Sequence, residues 1–516
     1  MLVKERHFSA APWTRPEQPD RVPGKPVIPP VRAAGLRQIK RKMRVRVSMA
    51  ARPFMHPPFD PWLSTSVAVD VGMASRASAA ALAALQEGRL AALLESALRR
   101  SPMYRRLLKG CATAALRLQD MPIVRKAELM RHFDEWCTDP AIRLDALRRF
   151  VVEPANVGMP FLDRYIVWES SGSSGEPGVF VQDAAAMAVY DALEALRKPD
   201  LRPLRRIFDP WMMAERVVFV GATGGHFAST VSIERLRLLN PILSASLSSV
   251  SFLQPIERLV AELQEHAPTV LTTYPSAAVL LARESLAGRL KIEPKEIWTG
   301  GETLSPAMHA FVQDAFGCPV VNSYGTSEFL SLASECLHGS LHLNSDWAIL
   351  EPVDCHGNAV PPGTDGTTTL LTNLANHLQP LIRYDIGDRV TLHADKCACG
   401  SALPMLDVQG RCDDTLQFGS HSGRTVQVLP LALSTVLEDD AGLFDFQVIQ
   451  QGPGELSLST GARGAAATDA LRRARGVLGT FLKSQGAAKV RIRCHTGRPP
   501  RRGRSGKLQR IVVSPV

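Results

Sequence analysis

No apolar run in this chain approaches the roughly 20 residues needed to span a bilayer. The alanine-rich stretch from Ala77 to Leu98 is interrupted by Glu87, Arg89 and Glu95 and therefore reads as an amphipathic helix. The N-terminus lacks an apolar segment followed by a small-residue cleavage site, so no secretory signal is read there. Nine cysteines, odd in number and unevenly spread, make no disulfide framework. A reducing cytoplasm fits these absences best. No internal repeat stands out.

The folded body also lacks a charge excess. The chain carries +10 overall, but residues 1–60 hold 13 Lys/Arg against 4 Asp/Glu, so nine of those ten charges belong to the tail. A nucleic-acid-binding face on the body is thereby excluded. Residues 1–60 are rich in proline and arginine without periodicity and read as disordered. They suit a tether, a weak contact for anionic surfaces, or an extension upstream of a start at Met49 or Met55; Glu5, Glu17 and Asp20 count against a transit peptide.

With 516 residues the chain can bury a large core and exceeds one ordinary domain. Order is expected from about Ser75, with Leu90, Leu93, Leu94 and Leu98 at helical spacing, a break at Ser101-Pro102, and a helix from Lys126 to Trp136. From Val217 to Trp298 strand-like runs (Val217 to Val220, Thr269 to Leu271) alternate with helical ones (Ile256 to His266, Ser276 to Ala287). That alternation argues for an α/β fold with a largely parallel sheet. After Arg411 the texture changes to strand, helix, strand, strand, helix, strand, enough for a small α+β domain. The expected division is a tail over 1–60, a large domain over 61–410 and a small one over 411–516.

Chemistry concentrates first in Ser170, Ser171, Gly172, Ser173, Ser174 and Gly175, ahead of Glu176-Pro177. Short strands are expected on either side, at Tyr165 to Trp168 and Val179 to Val181. Consecutive N–H groups in a glycine-containing loop form an anion nest, and hydroxyls add uncharged donors. This is a phosphate loop without the Gly-Lys-Ser/Thr of the Walker type; the plain alternative is a flexible turn. Gly300-Gly301-Glu302 lets a flat ring approach the backbone at a strand end. In Asn322-Ser323-Tyr324-Gly325-Thr326-Ser327-Glu328, Tyr324 offers a stacking ring, Ser327 a hydroxyl for phosphate and Glu328 a hard oxygen for Mg²⁺. Asp388, in Arg383-Tyr384-Asp385-Ile386-Gly387-Asp388-Arg389, suits the two hydroxyls of a ribose. Gly410-Arg411-Cys412-Asp413-Asp414 and Ser505-Gly506-Lys507 complete the set.

In this order and spacing, the stretches resemble the adenylate-forming superfamily of acyl-coenzyme A synthetases, and within it the phenylacetate–coenzyme A ligase family. Leu94 to Leu108 with its Ser-Pro-x-Tyr, Tyr274-Pro275-Ser276, and Pro380 to Arg389 belong to the same likeness, which runs from about Ser75 to the C-terminus. The resemblance implies a large domain of mixed and parallel sheets with a small mobile α+β lid. It implies that Ser170 to Gly175 cradle the β- and γ-phosphates of ATP. Gly301, Glu302, Asn322 and Tyr324 would hold adenine, with Ser323 and Gly325 also at the ATP site, Ser327 would touch the α-phosphate, Glu328 would bind Mg²⁺, and Asp388 with Arg411 would take the ribose. Asp413 would be the hinge, and Lys507 would bridge the substrate carboxylate and the α-phosphate. Lys507 also reads as a surface lysine in the basic run Arg498 to Arg510. Glu176 stands where many members have lysine and is assigned no ligand.

Cys336, His342, Cys397 and Cys399 form a donor set for structural Zn²⁺, with His338 as a competing ligand and reduced buried cysteines as the alternative. His226, in Gly224-Gly225-His226-Phe227, would orient the substrate carboxylate or be satisfied by a loop carbonyl. Phe219, Phe227 and Tyr274 suit a flat slot. The expected activity is ATP-dependent conversion of a small acid, aryl or arylacetic, to an acyl-adenylate and then a coenzyme A thioester. An acyl carrier protein or an amine is the alternative acceptor, and a degenerate nucleotide-binding scaffold the reading outside catalysis. A homodimer is compatible with the sequence; nucleic acid and a membrane span are not.

Overall fold

Five parallel strands organise the molecule. In a computed structural model they lie in the order Leu247–Ser251, Val217–Gly221, Val270–Thr273, Glu296–Gly300, Val320–Tyr324, with helices between them in sequence. The structure describes residues 58–109, 117–170, 177–209, 213–241, 243–411, 415–420, 425–428, 430–487, 490–501 and 508–513. Four antiparallel strands extend the sheet beyond Val320–Tyr324: Ala333–Glu335, Leu341–Leu343, Met405–Arg411 and Asp388–Leu392. The expected α/β class with mixed and parallel sheets is what the structure has. Of the parallel strands only Val217–Gly221 is a continuous apolar run; the others mix apolar residues with serine, threonine and other polar side chains. Ligands of such sheets bind beyond the carboxyl ends of the strands. Those ends are occupied by Tyr274-Pro275-Ser276, Gly300-Gly301-Glu302 and Tyr324-Gly325.

Order begins earlier than expected. A helix, Pro61–Ala74, precedes Ser75; Asp60 caps it by accepting the N–H groups of Trp62 and Leu63, and proline opens it. Its Val-Ala-Val-Asp-Val sequence has no clean apolar stripe, so periodicity does not reveal it. The expected helix Lys126 to Trp136 is two pieces, Lys126–Arg131 and Phe133–Trp136, parted at His132, whose backbone leaves the helical region. Phe133 and Trp136 are thereby turned into the core.

The helix Ala79–Arg100 runs as expected from a Ser78 cap to Ser101, which then caps Pro102–Leu107. That short helix carries the tyrosine of Ser-Pro-x-Tyr. Tyr104 is buried, and its hydroxyl donates to the carbonyl of Pro380 at 3.0 Å; the Trp136 indole donates to the same oxygen at 2.7 Å. The motif's work is therefore to anchor the Pro380 to Arg389 stretch, two hundred and seventy-six residues away in sequence from Tyr104.

Residues 416–511 supply a core of their own, around Leu416, Phe418, Leu456, Leu458, Leu471 and Leu478. The order there is fuller than expected. A hairpin, Leu416–Gly419 with Thr425–Val428, precedes the helix Pro430–Thr435, and two strands, Arg491–His495 and Ile511–Val513, follow the helix Ala465–Ser484. Arg491–His495, Glu455–Ser459, Gln447–Gly452 and Ile511–Val513 form one mixed sheet. Among the described residues no helix is long and apolar enough to cross a membrane.

Candidate active site

The expected strands around the serine loop are present as an antiparallel pair, Ile166–Glu169 with Val179–Gln182. Ser170 closes its neck: its N–H donates to the Gly178 carbonyl and its hydroxyl accepts the Gly178 N–H, both at 2.8 Å. Ser171, Gly172, Ser173, Ser174, Gly175 and Glu176 lie outside the described residues, as do Asp413, Lys507 and the tail to residue 57. Trp168, fully buried, donates its indole N–H to the carbonyl of Ser327 at 2.7 Å, which ties the strand before the serine loop to the Tyr324 segment.

A cleft of about 2320 Å³ opens at the carboxyl ends of the parallel strands. Ser170, Gly301, Glu302, Asn322, Tyr324, Ser327, Glu328, Asp388 and Arg411 all line it, together with Leu508 to Val513 from the C-terminal core. Its floor leaves no room for a side chain at Gly325, where a Cβ would lie 1.9 Å from the Leu330 carbonyl oxygen. Gly301 has φ +77, a backbone conformation that favours glycine.

Tyr324 donates its phenol to Asp388 at 2.7 Å, and Arg411 reaches the other oxygen of that carboxylate at 3.0 Å. Burial, then the neighbouring Asp388 carboxylate, pushes the Tyr324 phenol well above its ordinary pKa, so it remains a donor. Glu328 accepts the hydroxyl of Tyr384 at 3.0 Å while its main-chain carbonyl accepts from Asn373 at 2.9 Å. Burial raises the Glu328 carboxyl above the usual range, against the lowering pull of Tyr384 and Arg411. Arg383, next to Tyr384, holds φ +49 and threads its guanidinium to the carbonyls of Gln119, Met121 and Gly357 and to Glu351. Strain of that kind, about 1–3 kcal/mol, is held by these contacts. The Ser323 hydroxyl donates inward to Thr299, and the Asn322 N–H donates to Glu335 at 2.5 Å.

His226 lies elsewhere. Its ring is 1% exposed, packs 5.7 Å from Phe150 and does not line the cleft. Burial lowers its pKa, offset in part by the carbonyls of Asn156 and Val151. Its main-chain carbonyl accepts the Glu169 N–H at 2.7 Å, pinning the Gly224 to Phe227 loop to the strand before the serine loop. Phe219 and Tyr274 pack edge-to-face with each other, and Phe252 does the same against Tyr274, within the core beneath the sheet; Phe227 packs at its border.

Cys336, His342, Cys397 and Cys399 converge, each bringing a ligand atom within 4.8 Å of the others. A tetrahedral centre with arms of about 2.3 Å to sulfur has edges of about 3.8 Å, and Cys336 Sγ lies 3.8 Å from Cys397 Sγ. His342 turns Nδ1 to the Leu403 carbonyl at 2.9 Å and Nε2 to Cys399 Sγ at 3.3 Å, the orientation a ligating imidazole needs. His338 is exposed and outside the group; its backbone N–H donates to Cys336 Sγ. A backbone N–H, that of Cys399, is the first cause that draws the Cys397 thiol down to about 6. The donor set fits Zn²⁺, and Cys336 directly follows Glu335, the acceptor for Asn322.

A family model described as AMP-binding enzyme matches residues 170–367. The phenylacetate–coenzyme A ligase of Thermus thermophilus is 28% identical over 376 residues, covering 69% of this chain and 75% of that one. Over these stretches the chain is similar to adenylate-forming enzymes. Protein CapK of Staphylococcus aureus is 31% identical over 135 residues, 26% of this chain and 28% of that one. Among solved structures, a 2-hydroxyisobutyryl-CoA ligase in the postadenylation state matches with a TM-score of 0.58 at 22% identity, covering 84% of this chain and 89% of that one. That match confirms the adenylate-forming fold.

Tyr384, Arg383, Asn373 and Glu335 are the site-shaping residues that motif reading passes over. Tyr384 and Arg383 sit inside a stretch already singled out, and adjacency to Asp388 is the signal that points to them. Asn373 belongs to an amide-rich run, Asn373 to Gln379, whose partners lie up to 242 residues away in sequence.

Proposed function

We propose that this chain activates a small carboxylic acid with ATP as its acyl-adenylate and passes the acyl group to coenzyme A. The observation that carries this reading is the meeting, in one cleft, of Ser170, Tyr324, Glu328, Asp388 and Arg411 with Leu508, which follows Lys507 in sequence. The serine loop and Ser327 hold phosphate oxygens. Asp388, fixed by Tyr324 and Arg411, accepts the ribose hydroxyls. Glu328 holds Mg²⁺, which neutralises phosphate charge. Lys507 aligns the carboxylate with the α-phosphorus; attack forms the acyl–phosphate bond and expels pyrophosphate. Rate enhancement comes from alignment and charge neutralisation, with no covalent work by the protein. Residues 411–516 act as a lid that turns about Asp413 between the two half-reactions.

The acid is proposed to be aryl or arylacetic, in keeping with the name of the Thermus thermophilus relative. Zn²⁺ at Cys336, His342, Cys397 and Cys399 is proposed as structural, since four protein ligands leave no open position. The test is pyrophosphate release across a panel of carboxylic acids, with and without coenzyme A. Acid-dependent release, with thioester appearing only when the thiol is present, is expected. No acid-dependent release from any member would overturn the reading; a carrier-protein thiol working where coenzyme A fails would move the acceptor.

A further inference from the structure

Glu302 follows two glycines at a strand end, where a carboxylate would ordinarily be read as facing the nucleotide. Both of its oxygens are engaged otherwise. Oε2 accepts the N–H of Ser276 at 3.0 Å, in the first turn of the helix Pro275–Leu286, whose amino end favours negative charge. Oε1 accepts the N–H of Leu508 at 2.9 Å. Leu508 follows Lys507, and the same segment enters the lid sheet as Ile511–Val513, paired in parallel with Gln447–Gly452.

Two contacts near it cross the same division, and Arg510 braces its far side. Ser305, which caps the helix Pro306–Phe316, donates to the buried carboxylate of Glu438, and Arg510 pairs with that carboxylate. Phe311 of the capped helix stacks on Phe444 at 5.2 Å. Arg510 lies over the Phe446 ring at 4.1 Å. Residues 302–311 thus meet residues 438–446 and 508–510. Among the described residues, the Glu302 bond is the one of these contacts that reaches the main chain beside Lys507.

We infer that Glu302 is a positioning residue that docks the Lys507-bearing segment of the lid for adenylation, and is not a ligand for adenine. This rests on the proposed two-step reaction. The carboxylate is held in register by the helix it caps, so it offers Leu508 a fixed acceptor. When the lid turns for thioester formation that bond is given up, while the Ser276 bond stays. Glu302 therefore biases which half-reaction the chain is set for.

The test pairs activity with a readout that needs no substrate. Hydrogen exchange of the full chain is measured at Leu508 and across Ala465–Ser484. In Glu302→Ala, protection at Leu508 should fall about 10- to 100-fold, the range for a hydrogen bond to a charged acceptor, with the long helix unchanged. Glu302→Gln, which keeps one acceptor oxygen, should fall less. Adenylation should slow by a similar factor relative to thioester formation from supplied acyl-adenylate, with KM for ATP nearly unchanged. Unaltered protection at Leu508, or a loss expressed mainly in KM for ATP, would overturn the inference. Wild-type chain without acid-dependent pyrophosphate release would instead fail the proposed function, and the exchange result would still decide the contact.

Discussion

Tyr384 donates its hydroxyl to Oε1 of Glu328 across 3.0 Å, and Asn373 holds the main-chain carbonyl of the same glutamate at 2.9 Å. Glu328, the proposed Mg²⁺ ligand, is thus held at both its carboxyl and its main-chain carbonyl by side chains from the small sheet that pairs Thr368–Asn373 with Tyr384–Asp385.

Removing the hydroxyl leaves Glu328 free to swing. Tyr384→Phe should raise the Mg²⁺ concentration for half-maximal adenylation about 10-fold, within the range for one bond to a charged group. Magnesium titrations of pyrophosphate release at saturating ATP measure it. An unchanged midpoint would show that Tyr384 only fills space.

Glu328 itself couples pH to stability. Burial raises its carboxyl pKa in the folded state, so the folded chain holds that proton more tightly than the unfolded one. The resulting stability is full below the unfolded pKa and is lost as pH rises through the folded pKa. In metal-free protein at pH 8 the ionised group is therefore a cost. Glu328→Gln should melt higher than wild type there, with the advantage shrinking toward pH 4, while adenylation falls about 10²–10³-fold. A lower melting temperature at pH 8 would contradict the sign.

The four-residue donor cluster gives a third expectation. It brings Cys336 to Cys397, and by analogy with a disulfide closing a sequence separation of 61 the closure is worth about 4 kcal/mol. Close to one zinc per chain should accompany protein purified without chelator. Cys397→Ser with Cys399→Ser should lose the metal and melt earlier. It should also weaken ATP binding indirectly, because Glu335 beside Cys336 holds Asn322, and the strand Met405–Arg411 pairs with His342 at one end and Asp388 at the other. Metal-free protein of unchanged stability would sink the assignment.

The two half-reactions separate the roles of Lys507 and Asp413. Lys507→Ala should abolish adenylation and largely spare thioester formation from supplied acyl-adenylate. Asp413→Pro should do the reverse, since proline fixes φ at the expected hinge. Equal losses in both steps for either variant would contradict a turning lid.

Much of this was readable without coordinates. Alternation of apolar runs and helical stripes identified the parallel sheet, because its strands are buried on both faces and its helices on one. Sequence order brought out Gly301, Tyr324, Glu328, Asp388 and Arg411, because glycine at a strand end and an acid beside it are local requirements. The donor types and spacing of Cys336, His342, Cys397 and Cys399 likewise mark a tetrahedral set. What only the tertiary structure decided is what those groups touch. Tyr324 is tied to Asp388 across 64 residues, Trp168 to Ser327 across 159, and Glu302 to Leu508 across 206. His226, read either as orienting the substrate carboxylate or as satisfied by a loop carbonyl, is buried against Phe150. Periodicity reports which face of an element is apolar. It carries no term for a hydrogen bond between groups that meet only when the chain has closed.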